Sequence, residues 1–380
     1  MRFPWEARPE EKSSGGLMVA LAQLGAAQWG GRDARSLVRD GYLRNAVAYR
    51  CVRMIAEAAA SVPLNTEDEA LRGLLGAPNA EADGVSLLEE FYGHLQIAGN
   101  AYLEAVSLEG EARPRALYVL RPDRMKAISD ARGWPSGWTY QVGKTKRQIL
   151  RNEEGWSPVL QMKLFNPADD IYGAPPLASA RQALDLHNAS ADWAKALIDN
   201  SAKPSGALVY GKDGARMSDE QYARLKSELE SAHSGAVNAG RPLLLEGGLD
   251  WKPMSLSPAD MDFRESRNGA AREIALAFGV PPMLLGIPGD NTYANYKEAN
   301  IAFWRLTILP LAQKTAASFT RWLAPHFSET ASVTCDHDAI PALAMEREAL
   351  WQRIEQASFL SEDEKRQMVG FPAREAQHEG

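Results

Sequence analysis

Two stretches, residues 175–202 and 294–323, constrain this chain more than any other part of its sequence. Each reads as one helix far longer than the usual helix of a globular domain. About 26 residues after Pro175-Pro176 would span roughly 39 Å at 1.5 Å per residue. The first carries Leu177, Leu184, Leu186, Trp193, Leu197 and Ile198 among many alanines. Helices of that length need neighbours to bury their apolar stripes. An alanine-rich surface suits close packing against identical copies, so the pattern points to a ring. The second long helix contains Pro310, which removes one backbone hydrogen bond and imposes a bend.

A compact module interrupts the helices. It holds a strand at 206–210, a turn at 211–214, and a helix whose Ser218 and Gln221 make a capping-box pattern ahead of Leu225 and Leu229. Residues 242–246 and 250–256 then flank Gly247-Gly248 as a hairpin. A shorter helix at 264–278 follows, ending at Gly279-Val280-Pro281-Pro282, and 286–292 is a loop by composition. Upstream, Val47, Cys51, Met54, Ile55 and Ala58 share one helical face that stops at Ser61-Val62-Pro63. A second helix at 87–95 precedes strands at 101–106, 116–120, 138–142 and 159–164, with turns predicted at 121–123, 134–137 and 147–155. That block is an α+β unit with an antiparallel sheet. Residues 1–40 read as an arm, and helices near 343–357 and 361–369 close the chain.

Composition excludes several classes. At 45% hydrophobic and 24% charged residues the chain is an ordinary globular one. Its 42 basic and 49 acidic residues leave a formal charge of −7, whereas a protein that grips phosphates over its whole surface would be basic. No apolar run is long enough to span a bilayer. Residues 17–29 are short for that and preceded by Glu6, Glu10 and Glu11, so synthesis in the cytoplasm is expected. Two cysteines make no disulfide framework; Cys51 reads as a buried thiol. Cys335-Asp336-His337-Asp338 lacks a second ligand pair at metal-site spacing.

Catalytic patterns fail one by one. Gly143-Lys144-Thr145 ends like a phosphate-binding loop, but its first glycine is misplaced and the segment reads as a hairpin. His187 and Asp185 stand two apart on a helix and so face different ways. Asp169-Asp170 sits in a turn where carboxylates bond locally. The competing reading, a soluble α+β hydrolase-like enzyme, would have to use Asp169 or Asp170 with His187 in an irregular site.

The order of motifs resembles the portal proteins of tailed bacteriophages, of the siphophage type. The helix beginning Asn45-Ala46-Val47-Ala48-Tyr49-Arg50-Cys51-Val52 carries part of the likeness, as does Gln96-Ile97-Ala98-Gly99-Asn100-Ala101-Tyr102. So do Leu120-Arg121-Pro122-Asp123, Tyr172-Gly173-Ala174-Pro175-Pro176-Leu177, and Pro204-Ser205-Gly206-Ala207-Leu208. Ala277-Phe278-Gly279-Val280-Pro281-Pro282 with Leu285-Gly286, and residues 336–348, complete the set.

The resemblance implies a portal fold: an α+β wing, a long helical stem, a small α/β clip insertion, a kinked long helix and a short helical C-terminal crown, assembled as a ring of about twelve. On that pattern 1–40 is the N-terminal arm, 41–174 the wing, 175–202 and 262–285 the stem helices, and 203–261 the clip. Residues 286–296 are the tunnel loop, 297–330 the long kinked wing helix and 331–380 the crown region. The loop's DNA-facing residues would be Ile287, Pro288, Gly289, Asp290, Asn291, Thr292, Tyr293, Asn295 and Tyr296. Asp219, Glu220, Glu228 and Glu230 of the clip would meet partners. The implied partners are the major capsid protein, the terminase large subunit, a head–tail adaptor and double-stranded DNA sliding through, with no membrane, cofactor, metal or catalytic residue. The particle would be a phage or a gene transfer agent, with this chain at its portal vertex.

Overall fold

The computed structural model describes residues 37–111, 113–131, 133–199, 206–210, 218, 220, 223–224, 227, 249–253, 263–289, 292–328, 330–337 and 339–369. Helix α1, Ala46–Ala60, begins where the Asn45 side chain accepts the N–H groups of Val47 and Ala48, each at 3.1 Å. Its Cys51, Val52, Ile55 and Ala59 enter the main core, as their spacing predicts. Burial pushes the Cys51 thiol up to about 12. Strand β1, Leu64–Asn65, leaves α1 and pairs antiparallel with β10, Thr334–Cys335, so segments far apart in the sequence meet. Helices α2, Glu69–Gly76, and α3, Gly84–Ala98, are capped by Asp68 and Asp83.

Two three-stranded antiparallel sheets follow. In the first, β2 (Asn100–Val106) lies between β3 (Ala116–Leu120) and β7 (Val159–Lys163). In the second, β5 (Pro135–Val142) lies between β4 (Met125–Ser129) and β6 (Thr145–Leu150). The expected turns at 134–137 and 147–155 are therefore corrected in part. Pro135 is the first residue of β5, where its missing N–H is tolerated, and the turn lies at 130–134 instead. Strand β6 is an edge strand with almost every side chain exposed, so its Lys and Arg disguise it. Gly143 and Lys144 form the tight turn between β5 and β6, a hairpin and not a phosphate loop. The sheets share a small core in which Tyr102 meets Trp138 edge-on at 5.0 Å. They are also tied by Arg147, which donates to both oxygens of the buried Glu104 carboxylate at 2.7 and 2.6 Å.

Two motifs distant in sequence come together here. Gly99 ends α3 with φ +70°, and a Cβ on it would lie 2.6 Å from the Gly173 oxygen. Gly173 in turn donates its N–H to Asn100 at 2.9 Å, and a Cβ there would fall 2.7 Å from the Leu164 oxygen. The backbones touch, which is why both positions are glycine.

The first long helix is broken. A short helix α4, Pro176–Ser179, is followed by α5, Arg181–Asp199, with the break at Ala180. The module's ends meet as β8, Gly206–Tyr210, antiparallel to β9, Leu249–Pro253. The expected hairpin partner at 242–246 lies outside the described residues. Helix α6, Phe263–Phe278, packs along α5 and on α1. Then comes one continuous helical rod: α7, Tyr293–Phe303; a π-helical turn, Trp304–Ile308; and α8, Leu309–Leu323. The turn absorbs Pro310: the Leu309 N–H reaches back five residues to Trp304, in place of a register the proline cannot continue. The rod ends in a 3₁₀ turn at Ala324–His326, short of the expected 330. Trp156 and Trp322 lock it to the sheet, stacked at 6.4 Å, each indole donating to the other segment's backbone. Helices α9, Ala344–Gln356, and α10, Glu362–Met368, finish the chain.

The Gly173→Ala variant should lower stability by about 1–3 kcal/mol or more, because backbone cannot yield as a side chain can. Gly93→Ala, inside α3 with open space around it, should be neutral or raise stability by up to about 1 kcal/mol. Urea midpoints of the two variants measure both.

Candidate functional site

Three segments converge where α5 and α6 leave the α+β body: the turn at Leu37–Leu43, the first turn of α1, and the middle of α5. Asn45 is buried and fully used. Its oxygen caps α1, which orients its amide nitrogen toward α5, where it donates to Asn188 at 2.9 Å and lies 3.1 Å from Nδ1 of His187. Asn188 donates onward to the Asp40 carbonyl at 2.8 Å. The Asn45 nitrogen can only donate, so Nδ1 of His187 accepts in that contact. Arg267 of α6 stands 3.5 Å from Nε2. Burial first, and this guanidinium second, hold His187 below its ordinary value. An Arg44–Asp192 ion pair closes the outer side. Of these residues the sequence singled out His187, and Asn45 only as the start of the entry-helix motif, although Asn45 ahead of an apolar helix is a legible N-cap.

His187 is thus a structural member of this junction. Asp185 pairs with Arg181 at 3.9 Å on the same helix. Asp169 accepts the N–H groups of Ile171 and Tyr172 at 2.7 and 2.9 Å, which holds its carboxyl below the usual range. Asp169, Asp185 and the His187 imidazole therefore serve separate local contacts. Among the described residues, no group of three or more His, Cys, Asp and Glu is placed to hold a metal ion.

The segment 286–296 links the end of α6 to α7. Helix α6 stops at Gly279, φ +68°, with the Val280 N–H returning to the Ala275 oxygen at 2.9 Å. Thr307 of the π turn donates to the Gly279 oxygen at 2.7 Å and fixes that corner. The expected loop is shorter than 286–296. Thr292 accepts the Asn295 N–H at 3.2 Å and caps α7, so Tyr293, Asn295 and Tyr296 lie in the first helical turn. Thr292-x-x-Asn295 was the missed signal: the cap places the helix start one residue after Thr292. Nor is the loop's first half a free hinge. Ile287 is 8% exposed, and Arg272 of α6 donates to the Pro288 carbonyl. Gly289 lies directly against that guanidinium, which occupies the space a Cβ would need. Tyr293 is 87% exposed and Tyr296 is also exposed, so the corner presents polar and aromatic groups with little charge. Asp290 and Asn291 lie outside the described residues, as do Asp219, Glu228 and Glu230; Glu220 is described and exposed.

Comparison with known proteins bears on all of this geometry. The family model described as phage portal protein matches residues 46–370. A chain from the neck of a native gene transfer agent particle, with C12 symmetry, is 50% identical, with a TM-score of 0.72, covering 94% of this chain and 99% of its own. The probable portal protein of Streptomyces phage phiC31 is 30% identical over 350 residues, 85% of this chain and 74% of its own length. A protein of Rickettsia bellii (strain RML369-C) is 40% identical over 342 residues, 88% of each.

The His187 junction makes a pH prediction. A folded-state value below the ordinary one means the unfolded chain binds the proton more tightly. Stability should therefore be full above about pH 6.5 and fall as pH drops below it. Protonation would also set Nδ1–H against the Asn45 amide. Unfolding midpoints measured from pH 7.5 to 5 should show this slope, and the His187→Gln variant should flatten it whatever its baseline.

Proposed function

The chain belongs to the phage portal protein family, and on that premise we propose that it forms the ring at one vertex of a phage-like particle, a phage or a gene transfer agent, through which double-stranded DNA enters and leaves. The observation that carries this reading is the 50% identity to a particle-neck chain over nearly the whole of both chains. The family is structural, so the polar junction at Asn45 and His187 is read as architecture and not as an active site.

The physical chemistry supports the reading. About twelve copies at −7 give an assembly near −84, whose field repels phosphate. A conduit needs that, because DNA must slide. Leu276 on α6 and Leu306 in the π turn are 78% and 73% exposed in the single chain, and flanking copies in a ring would cover them. On this reading 41–174 and the rod 293–326 are the wing, α5 and α6 the stem, 203–261 the clip, and the C-terminal helices the crown. The corner from Gly286 to Tyr296 faces DNA, its first half held by Arg272. The clip meets the packaging motor and the tail adaptor, and the crown side meets the head.

Two experiments test the assignments. Asn291→Arg, Tyr293→Arg and Asn295→Arg together spare the Thr292 cap and add three positive charges per copy. Particles carrying them should package shorter DNA and eject it more slowly at low salt, with recovery at high salt. Normal packaging at both salts removes this corner from the DNA path. Reversing the charges at Asp219, Glu220, Glu228 and Glu230 should weaken binding of motor and adaptor at least tenfold in pull-down titrations, while the thermal midpoint of the wing stays within a few degrees.

A further inference from the structure

A cleft of about 670 Å³ runs between the rod and α9. Its floor is apolar: Ile340 is buried, Ile301 and Leu343 are half-buried, and Leu350 stands exposed at the edge. Among the described residues that line it, Lys297, Arg305, Arg347 and Arg353 stand around this floor with the carboxylate of Glu298. Lys297, Ile301 and Arg305 recur every four residues along the rod, so they share one face. A cationic rim around an apolar floor suits a protein segment that offers an apolar side chain next to carboxylates; duplex DNA has no group to fill the floor.

The same chain carries such a segment at the other end of α9. Phe359 at the α9–α10 corner is 85% exposed, and Glu362 and Asp363 just after it are exposed too. The corner is closed by hydrogen bonds. Ser361 donates its N–H and hydroxyl to the Glu364 carboxylate, each at 2.8 Å, while the Glu364 N–H returns to Ser361 in a capping box. Lys365 donates to the Glu355 carbonyl at 3.1 Å, tying α10 to α9. The backbone that carries Phe359 out to solvent is therefore tied on its C-terminal side, which lowers the ordering cost of docking.

We propose that the Phe359 corner of one copy docks in the rod–α9 cleft of the next, with Phe359 on the apolar floor and Glu362 and Asp363 against the arginine rim. The inference rests on the ring reading above. Knob and cleft are different surfaces of one chain, so the contact is head-to-tail, the kind that closes rings when the rotation is right. It would link neighbouring copies on the side away from the clip.

The test uses the full chain with Ser358→Cys and Ala349→Cys in a Cys335→Ala background, which keeps Phe359 and the floor intact. Cys51 is buried and its thiol inert. A short bis-maleimide added to the assembled protein should give a ladder of covalent multimers on a denaturing gel, absent from either single-cysteine variant. Arg347→Glu with Arg353→Glu should abolish the ladder, and adding Glu362→Arg with Asp363→Arg should restore it. Rings of full mass that yield only monomer, crosslinked internally or not, overturn the docking while leaving the portal reading intact. Loss of the ladder without restoration by the swap overturns the charge pairing. A chain that never assembles overturns the portal reading, and this contact with it.

Discussion

Asn45 is the point on which the rest of the structure depends. One amide caps α1 with its oxygen and grips α5 with its nitrogen, so a local helix start and a contact to a residue 143 positions away are the same event. Buried amides of this kind are costly unless every group is satisfied, and here the satisfaction runs through His187, Asn188 and the Asp40 carbonyl. The junction sets the direction in which α5 leaves the α+β body. Helix α6 returns along it, and the corner at 279–292 takes its position from α6 through Arg272 and Thr307. A change at Asn45 would thus be felt at both ends of the insertion.

The helices α1, α3 and α6 were legible because each buries one face of a 3.6-residue pattern, and their stops are glycine or proline. Strands β2, β3 and β7 were legible for the matching reason: they are apolar and bounded by turn residues. Strand β6 was not, since an exposed edge strand of Lys, Arg and Gln has no buried face to show. Strands β1 and β10 are two residues each and pair across some 270 positions, beyond any local signal. At Pro310 the sequence predicted a lost hydrogen bond and a bend; the residues around it form a π turn just before the proline, which depends on the register the packed rod can keep.

For the segment proposed to face DNA, composition located the loop and missed its shape. Glycine, proline and asparagine identify 286–292 as a connection. They do not reveal that Arg272, sixteen residues before Pro288, fastens the first half, or that Thr292 starts the helix. The consequence is physical. Burial of Ile287 and the Arg272 contact on one side, and the Thr292 cap on the other, fix the two ends of this connection. In the proposed ring such anchoring would suit a collar that stays near a passing duplex without gripping it, where the summed charge of the copies would keep phosphate away.

The central claim is that this chain works as a closed ring of about twelve, and mass measures that most directly. Light scattering coupled to size exclusion on the purified full-length chain should give an assembly of about half a megadalton, twelve times the 41.6 kDa of one copy. A particle near 41.6 kDa at every concentration and salt tested would contradict the account.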